Sequence, residues 1–154
     1  MTTPMVQRLV ETFERIHRER MRGLPIVHPD LEVEAVGFRS WEAGEIGVLI
    51  TPWFMNLTYL VPPPNGWDQL PLGHVLILDF PAGPYSFVLA EAEGLGRYRN
   101  CALFTTMQPF ADRAQARETA EAVMKGLFLA ASPERSGGMS RREFLQGVLR
   151  GGRK

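Results

Sequence analysis

The chain is poor in the residues that most often announce chemistry. Of its 154 residues one is a cysteine, Cys101, which excludes an internal disulfide and any site built on paired C-x-x-C motifs. The histidines His17, His28 and His74 stand far apart, and no pair has metal-ligand spacing. Gly94-Leu95-Gly96 and Gly137-Gly138 fit neither a phosphate-binding loop nor a dinucleotide fingerprint. A G-x-S-x-G elbow and an H-E-x-x-H pair are both missing. No apolar run approaches the roughly 18 residues of a membrane span. Acids interrupt the periodic N-terminal stretch, which therefore does not read as a secretory signal. The expectation is a cytoplasmic protein with no metal, no cofactor and no catalysis. Cys101 reads as a buried structural thiol, with Arg97 and Arg99 the only neighbours able to lower its pKa.

Formal net charge is zero, but its distribution is uneven. Residues 1–23 carry five Arg and three Glu; residues 24–96 carry nine acids against Arg39 alone; residues 97–154 carry eleven bases and five acids. An acidic centre between basic ends bears on partners rather than fold, and it disfavours nucleic acid.

The stretch Gly47–Pro62 is the one around which the remainder is organised. It reads as two apolar strands, Val48–Thr51 and Leu57–Val61, on either side of an interruption at Pro52-Trp53-Phe54-Met55-Asn56. Trp53, Phe54 and Met55 are core residues or, where exposed, a surface for gripping another protein. Upstream, Thr3 and Pro4 start an amphipathic helix that Gly23 ends. His17, beside its apolar stripe, reads as solvated or capping. A first strand follows over Leu31–Arg39, with Glu32 and Glu34 on one face. Further strands are expected at His74–Phe80, Tyr85–Ala90 and Asn100–Thr106, and a second helix over Ala111–Ala131 capped by Asp112. Asp79 and Glu91 fall on strands expected to pair, where they would be a carboxylate pair or solvated surface acids. Helix, strands, helix in that order predict an α+β fold: an antiparallel sheet of about five or six strands covered on one face by an N-terminal and a C-terminal helix, plus a short tail helix. Residues 1–131 form the domain; residues 132–154 form a flexible joint and a basic tail.

That tail holds Ser140-Arg141-Arg142-Glu143-Phe144-Leu145, which meets the twin-arginine export consensus S-R-R-x-F-L at every defined position. Only Val148 and Leu149 follow as apolar residues before Arg150, so it is not expected to act as an export signal. Ser140 and Glu143 also make a capping box, and Phe144, Leu145, Val148 and Leu149 one apolar stripe, so a short docking helix fits the same residues.

Together these motifs resemble the HybE/HupJ-type assembly chaperones of nickel–iron hydrogenases. The resemblance rests on Arg20-Met21-Arg22-Gly23-Leu24-Pro25, Val33–Phe38, Gly47–Leu57, Pro81-Ala82-Gly83-Pro84-Tyr85-Ser86-Phe87, Cys101-Ala102-Leu103-Phe104, Phe110-Ala111-Asp112 and the S-R-R-x-F-L tail. It implies a non-enzymatic cytoplasmic factor that handles the hydrogenase small-subunit precursor, whose signal peptide carries a twin-arginine motif, and sometimes the large subunit. Some relatives carry a rubredoxin domain; its paired C-x-x-C motifs are missing here, so iron binding is not implied. On this reading Trp53, Phe54 and Met55 with Glu32, Glu34, Asp79 and Glu91 would receive the signal's arginines and apolar residues. Arg141, Arg142, Phe144 and Leu145 would be a pseudo-ligand for the same groove, in cis or in a homodimer. The alternatives are large-subunit binding and a Cys101-centred redox or enzymatic factor.

Overall fold

The computed structural model describes residues 3–130. Thr3 caps the first helix, α1 (Pro4–Ile16), its hydroxyl accepting the Val6 N–H while Pro4 fills a first-turn position that needs no donor. The same hydroxyl donates to the Glu45 carboxylate, which ties the helix start to the sheet. Past Ile16 the chain continues as a π-helical turn over His17–Met21 and leaves the helix at Gly23, whose φ of +85° suits a residue without Cβ.

Six antiparallel strands form one sheet: β1 (Glu34–Trp41), β2 (Gly44–Thr51), β3 (Phe54–Leu60), β4 (Val75–Phe80), β5 (Gly83–Ala92) and β6 (Gly96–Phe104), in spatial order β1-β2-β3-β6-β5-β4. The second helix, α2 (Arg113–Leu127), is capped by Asp112, whose side chain accepts the Gln115 N–H. The α+β class, the antiparallel sheet and the two flanking helices are as the sequence predicts. The layering differs. α1 buries Val6, Leu9 and Phe13 with Leu49, Leu60 and Tyr98 on one face, whereas α2 buries Ala116, Ala120, Val123 and Leu127 with Ile46, Val48, Ile50 and Leu57 on the other. Successive strand residues point to opposite faces, and β2, buried at six of its eight positions, serves both cores.

The central hairpin is also tighter than its sequence suggests. Thr51 pairs directly with Phe54, leaving Pro52-Trp53 as a two-residue turn. The Thr51 hydroxyl accepts the N–H groups of Trp53 and Phe54, an arrangement that closes the turn locally. Phe54, Met55 and Asn56 therefore lie in β3 and not in an interruption.

Two irregularities bend the sheet. Opposite Gly47, β1 carries two residues, Gly37 and Phe38, and Gly37 has a φ of +69°; β6 has a second register shift where Met55 and Asn56 meet Phe104 and Ala102. Bulges of this kind sharpen the right-handed twist. The result is a sheet curled around α2 until its two outer strands meet: Trp41 of β1 stacks on Phe80 of β4 with ring centroids 4.4 Å apart.

Candidate functional site

Beside that contact the two sheet edges diverge and leave a cleft of about 450 Å³. The β1–β2 turn supplies Trp41, Glu42 and Ala43, β4 supplies Leu76 to Asp79, and Tyr59 and Trp67 form the floor. The volume falls within the usual range of ligand sites. The floor is well fixed: Trp41 meets Tyr59 edge-on at 5.3 Å, and Tyr59 meets Trp67 at 6.1 Å. The Tyr59 hydroxyl accepts the Ala43 N–H, which holds the tip of the β1–β2 turn. Burial pushes the Tyr59 phenol above its ordinary pKa, Ala43 pulls it down, and the Glu42 charge raises it again.

Trp67 belongs to the long crossing from β3 to β4, and two arginines of β6 hold that crossing down. Arg97 donates to the carbonyls of Trp67 (2.9 Å) and Leu70 (2.6 Å). Arg99, at 1% exposure, donates to the His74 carbonyl at 2.7 Å and lies 5.3 Å from the Trp67 ring centre. Burial lowers its pKa, and its Nε has no hydrogen-bond partner among the described residues. His74 Nδ1, 3.2 Å from the guanidinium, acts as acceptor, since an arginine can only donate.

The predicted site residues do not come together. Met55 is fully buried on the α2 side opposite Ile50, so it offers no surface. Trp53 and Phe54 are half-buried on the α1 side, Phe54 edge-on to Phe13 at 5.7 Å and Trp53 at 5.8 Å from His17. Glu32 and Glu34 already have cationic partners: Arg113 reaches Glu32 at 2.8 Å, and Arg117 donates to Glu34 at 2.5 Å through Nη2 and 3.1 Å through Nε. Hydrogen bonding to Glu34, and then its charge, raise the Arg117 pKa. Glu91 pairs across the ladder with Arg97, at 3.5 Å. It is no partner for Asp79, which sits opposite Pro84 near the far end of β4. Of the acids proposed from sequence, only Asp79 borders the cleft. Glu42 joins it there; neither has an ionic or hydrogen-bonding partner among the described residues. Arg141, Arg142, Phe144 and Leu145 lie outside the described residues.

Cys101 is buried on β6 at 4% exposure. His28 is structural: its Nε2 donates to the Phe110 carbonyl at 2.7 Å while Nδ1 accepts the Asp30 N–H. Among the described residues no three His, Cys, Asp or Glu side chains cluster as metal ligands, and no helix is long and apolar enough to cross a membrane.

Trp41, Glu42, Tyr59 and Trp67, which the sequence does not mark as site residues, line this cleft. The aromatic tryptophans flanking an acidic turn and a proline loop were a signal, but their convergence depends on the curl of the sheet.

Residues 4–147 match the family model described as NiFe-hydrogenase assembly, chaperone, HybE. The "Hydrogenase expression/formation protein HupT" of Azotobacter chroococcum mcd 1 is 40% identical over 143 residues, covering 92% of this chain and 95% of that protein. HupJ of Bradyrhizobium diazoefficiens, named likewise, is 38% identical over 92% of this chain and 86% of its own length. The "Probable rubredoxin HupJ" of Rhodobacter capsulatus is 43% identical, and the match spans 45% of its length. The solution structure of HybE from Escherichia coli has the same fold, with a TM-score of 0.66 at 21% identity over 92% of this chain and 88% of that one. The chain belongs to the HybE family of nickel–iron hydrogenase assembly chaperones.

Proposed function

We propose that this assembly chaperone recognises a hydrogenase small-subunit precursor through its twin-arginine signal peptide, and that the cleft between the β1–β2 turn and β4 receives it. The carrying observation is that two partnerless carboxylates border a wall of Trp41, Tyr59, Trp67, Leu76 and Leu78: Glu42 in the β1–β2 turn, and Asp79 on the face of β4 opposite to Leu76 and Leu78, at the cleft's rim. A guanidinium binds carboxylate in a fixed fork and stacks on aromatic faces, and the phenylalanine and leucine of S-R-R-x-F-L need apolar cover. Glu32, Glu34 and Glu91 are engaged by arginines of the chain itself and have no part in this reading.

The chain's own S-R-R-x-F-L segment, through Arg141, Arg142, Phe144 and Leu145, occupies the cleft as a pseudo-ligand until a precursor displaces it. Its point of departure favours this. Phe128, at the C-cap of α2, packs edge-on against Phe80 at 5.9 Å and receives the Arg39 guanidinium over its ring at 4.0 Å, so the chain leaves α2 beside the cleft. Residues 131–140 can span up to about 35 Å, and a tether of that length gives an effective concentration of order millimolar.

Calorimetric titration of a synthetic S-R-R-x-F-L signal peptide into the full chain tests both parts. Glu42→Gln with Asp79→Asn, compared in the Arg141→Ala, Arg142→Ala background so that the tail does not compete, should weaken binding by about tenfold, at up to roughly 1 kcal/mol per solvent-exposed ion pair. Arg141→Ala with Arg142→Ala should strengthen it. Unchanged affinity in the carboxylate variant would refute the cleft; unchanged or weaker affinity in the tail variant would refute self-occupancy.

A further inference from the structure

We infer that β4 is an acceptor edge, and that the signal peptide joins the sheet as a seventh strand antiparallel to β4. This rests on the signal-peptide reading above and specifies its binding mode.

β4 is an outer strand paired only with β5 among the described residues. The Leu89 N–H donates to the His74 carbonyl, which sets the antiparallel alternation. Leu76, Leu78 and Phe80 therefore direct their amide groups toward β5, and Val75, Ile77 and Asp79 direct theirs away from the sheet. Outer strands are usually guarded by lysine, proline or a bulge. Val75-Leu76-Ile77-Leu78-Asp79-Phe80 has none of these, and its register with β5 is unbroken.

Both faces of this edge are prepared for an apolar neighbour. On the α2 side Leu76 and Leu78 line the cleft. On the α1 side Val75 and Ile77 are 54% and 53% exposed, and Val88, directly across from Val75, is 38% exposed. α1 covers the other half of that face and leaves these three bare. A strand whose side chains alternate between Leu76/Leu78 and Val75/Ile77 must be apolar on both faces, as the run following a twin-arginine pair is.

Charge sets the direction. The partnerless carboxylates Asp79 and Glu42 lie toward the Phe80 end, where Trp41 closes the cleft. Arginines placed there, with the apolar run continuing toward Val75, give a peptide running opposite to β4. Main-chain bonds would then supply affinity and the alternate side chains specificity.

The test uses the full chain carrying Arg141→Ala and Arg142→Ala, and an S-R-R-x-F-L peptide with N-methyl groups on every second amide of its apolar run. Two such peptides cover the two alternations. One should lose at least about tenfold in affinity and the other bind nearly as the parent, because only alternate amides face the partner strand. Ile77→Pro removes an outward N–H without touching the β5 ladder, a position where an outer strand tolerates proline. It should reproduce the loss, with unchanged circular dichroism. Equal affinity for both methylated peptides, or equal loss from both as a bound helix would show, overturns the seventh strand while the signal-peptide reading stands. Failure of the unmodified peptide to bind sinks that reading itself. A concentration-dependent dimer dispersed by Ile77→Pro would give the edge to a second copy and overturn the inference.

Discussion

Removing the contact between Trp41 and Phe80 separates the first strand of the sheet from the last, and its cost follows from the geometry. Trp41 is half-buried, stacked on Phe80 at 4.4 Å and 22° and edge-on to Tyr59 at 5.3 Å. Truncating a fully buried tryptophan costs about 3–5 kcal/mol, so Trp41→Leu, which keeps part of the apolar volume, should cost about 2 kcal/mol. The aromatic pair itself contributes about 0.5–1.5 kcal/mol beyond area. A double-mutant cycle with Phe80→Leu should therefore return a coupling of about 1 kcal/mol. Urea unfolding followed by far-ultraviolet circular dichroism reads it: with m near 2 kcal/mol/M, Trp41→Leu should lower the midpoint by about 1 M. The double variant should then fall about 0.5 M less than the sum of the singles. Additivity within error would mean that the two rings do not meet in solution. The curl of the sheet, and with it the cleft, would be wrong.

Three further outcomes follow from buried groups. His28→Ala leaves the Phe110 carbonyl without its 2.7 Å donor and the Asp30 N–H without its acceptor; chemical denaturation should show a loss of about 2–3 kcal/mol. Tyr98 is 8% exposed and burial raises its pKa above 10.0. Above that pH the unfolded chain releases the phenolic proton while the native state keeps it, so stability present below pH 10 declines as pH rises, and Tyr98→Phe should flatten the decline. Cys101 should react with a thiol reagent only as fast as β6 opens to expose it, and Cys101→Ser should leave hydrogenase maturation intact. Loss of maturation in that variant would revive a redox role.

Much of the fold was legible because it is written locally. Thr3-Pro4 and Asp112 mark helix starts through capping chemistry that needs no tertiary partner, and both cap as the sequence indicates. Alternation and β-branched residues place the strands, though β2, β3, β5 and β6 run longer than the pattern shows and β1 starts only at Glu34. The errors are those of long range. An amphipathic stripe tells that a helix is buried on one side, but not which face of the sheet receives it; α1 and α2 proved to lie on opposite faces. By sequence Met55 falls in an interruption, because Pro52 cannot donate to a ladder and nothing local limits the break to two residues. A two-residue turn put it back into register opposite Ile50 and so into the core. Glu34 carried a negative charge available for a partner until the fold brought Arg117, 83 residues away, against it. The cleft was the least legible feature, since it exists only where the first and last strands of the sheet approach one another. Gly37, through the bulge that sharpens the twist, gives that curl a local cause that only the pairing register exposes.

The claim on which the account turns is that a twin-arginine peptide docks between the β1–β2 turn and β4, and the three tryptophans report on it separately. Titrating the peptide into nitrogen-15-labelled full chain and following the indole N–H signals gives the most direct answer. Trp41 and Trp67 line the cleft, whereas Trp53 lies across the sheet beside His17. The account predicts saturable shifts at Trp41 and Trp67 together with the amides of Glu42 and Leu76 to Asp79, and a still signal from Trp53. Shifts centred on Trp53 and Phe54, with Trp41 and Trp67 unmoved, would contradict it.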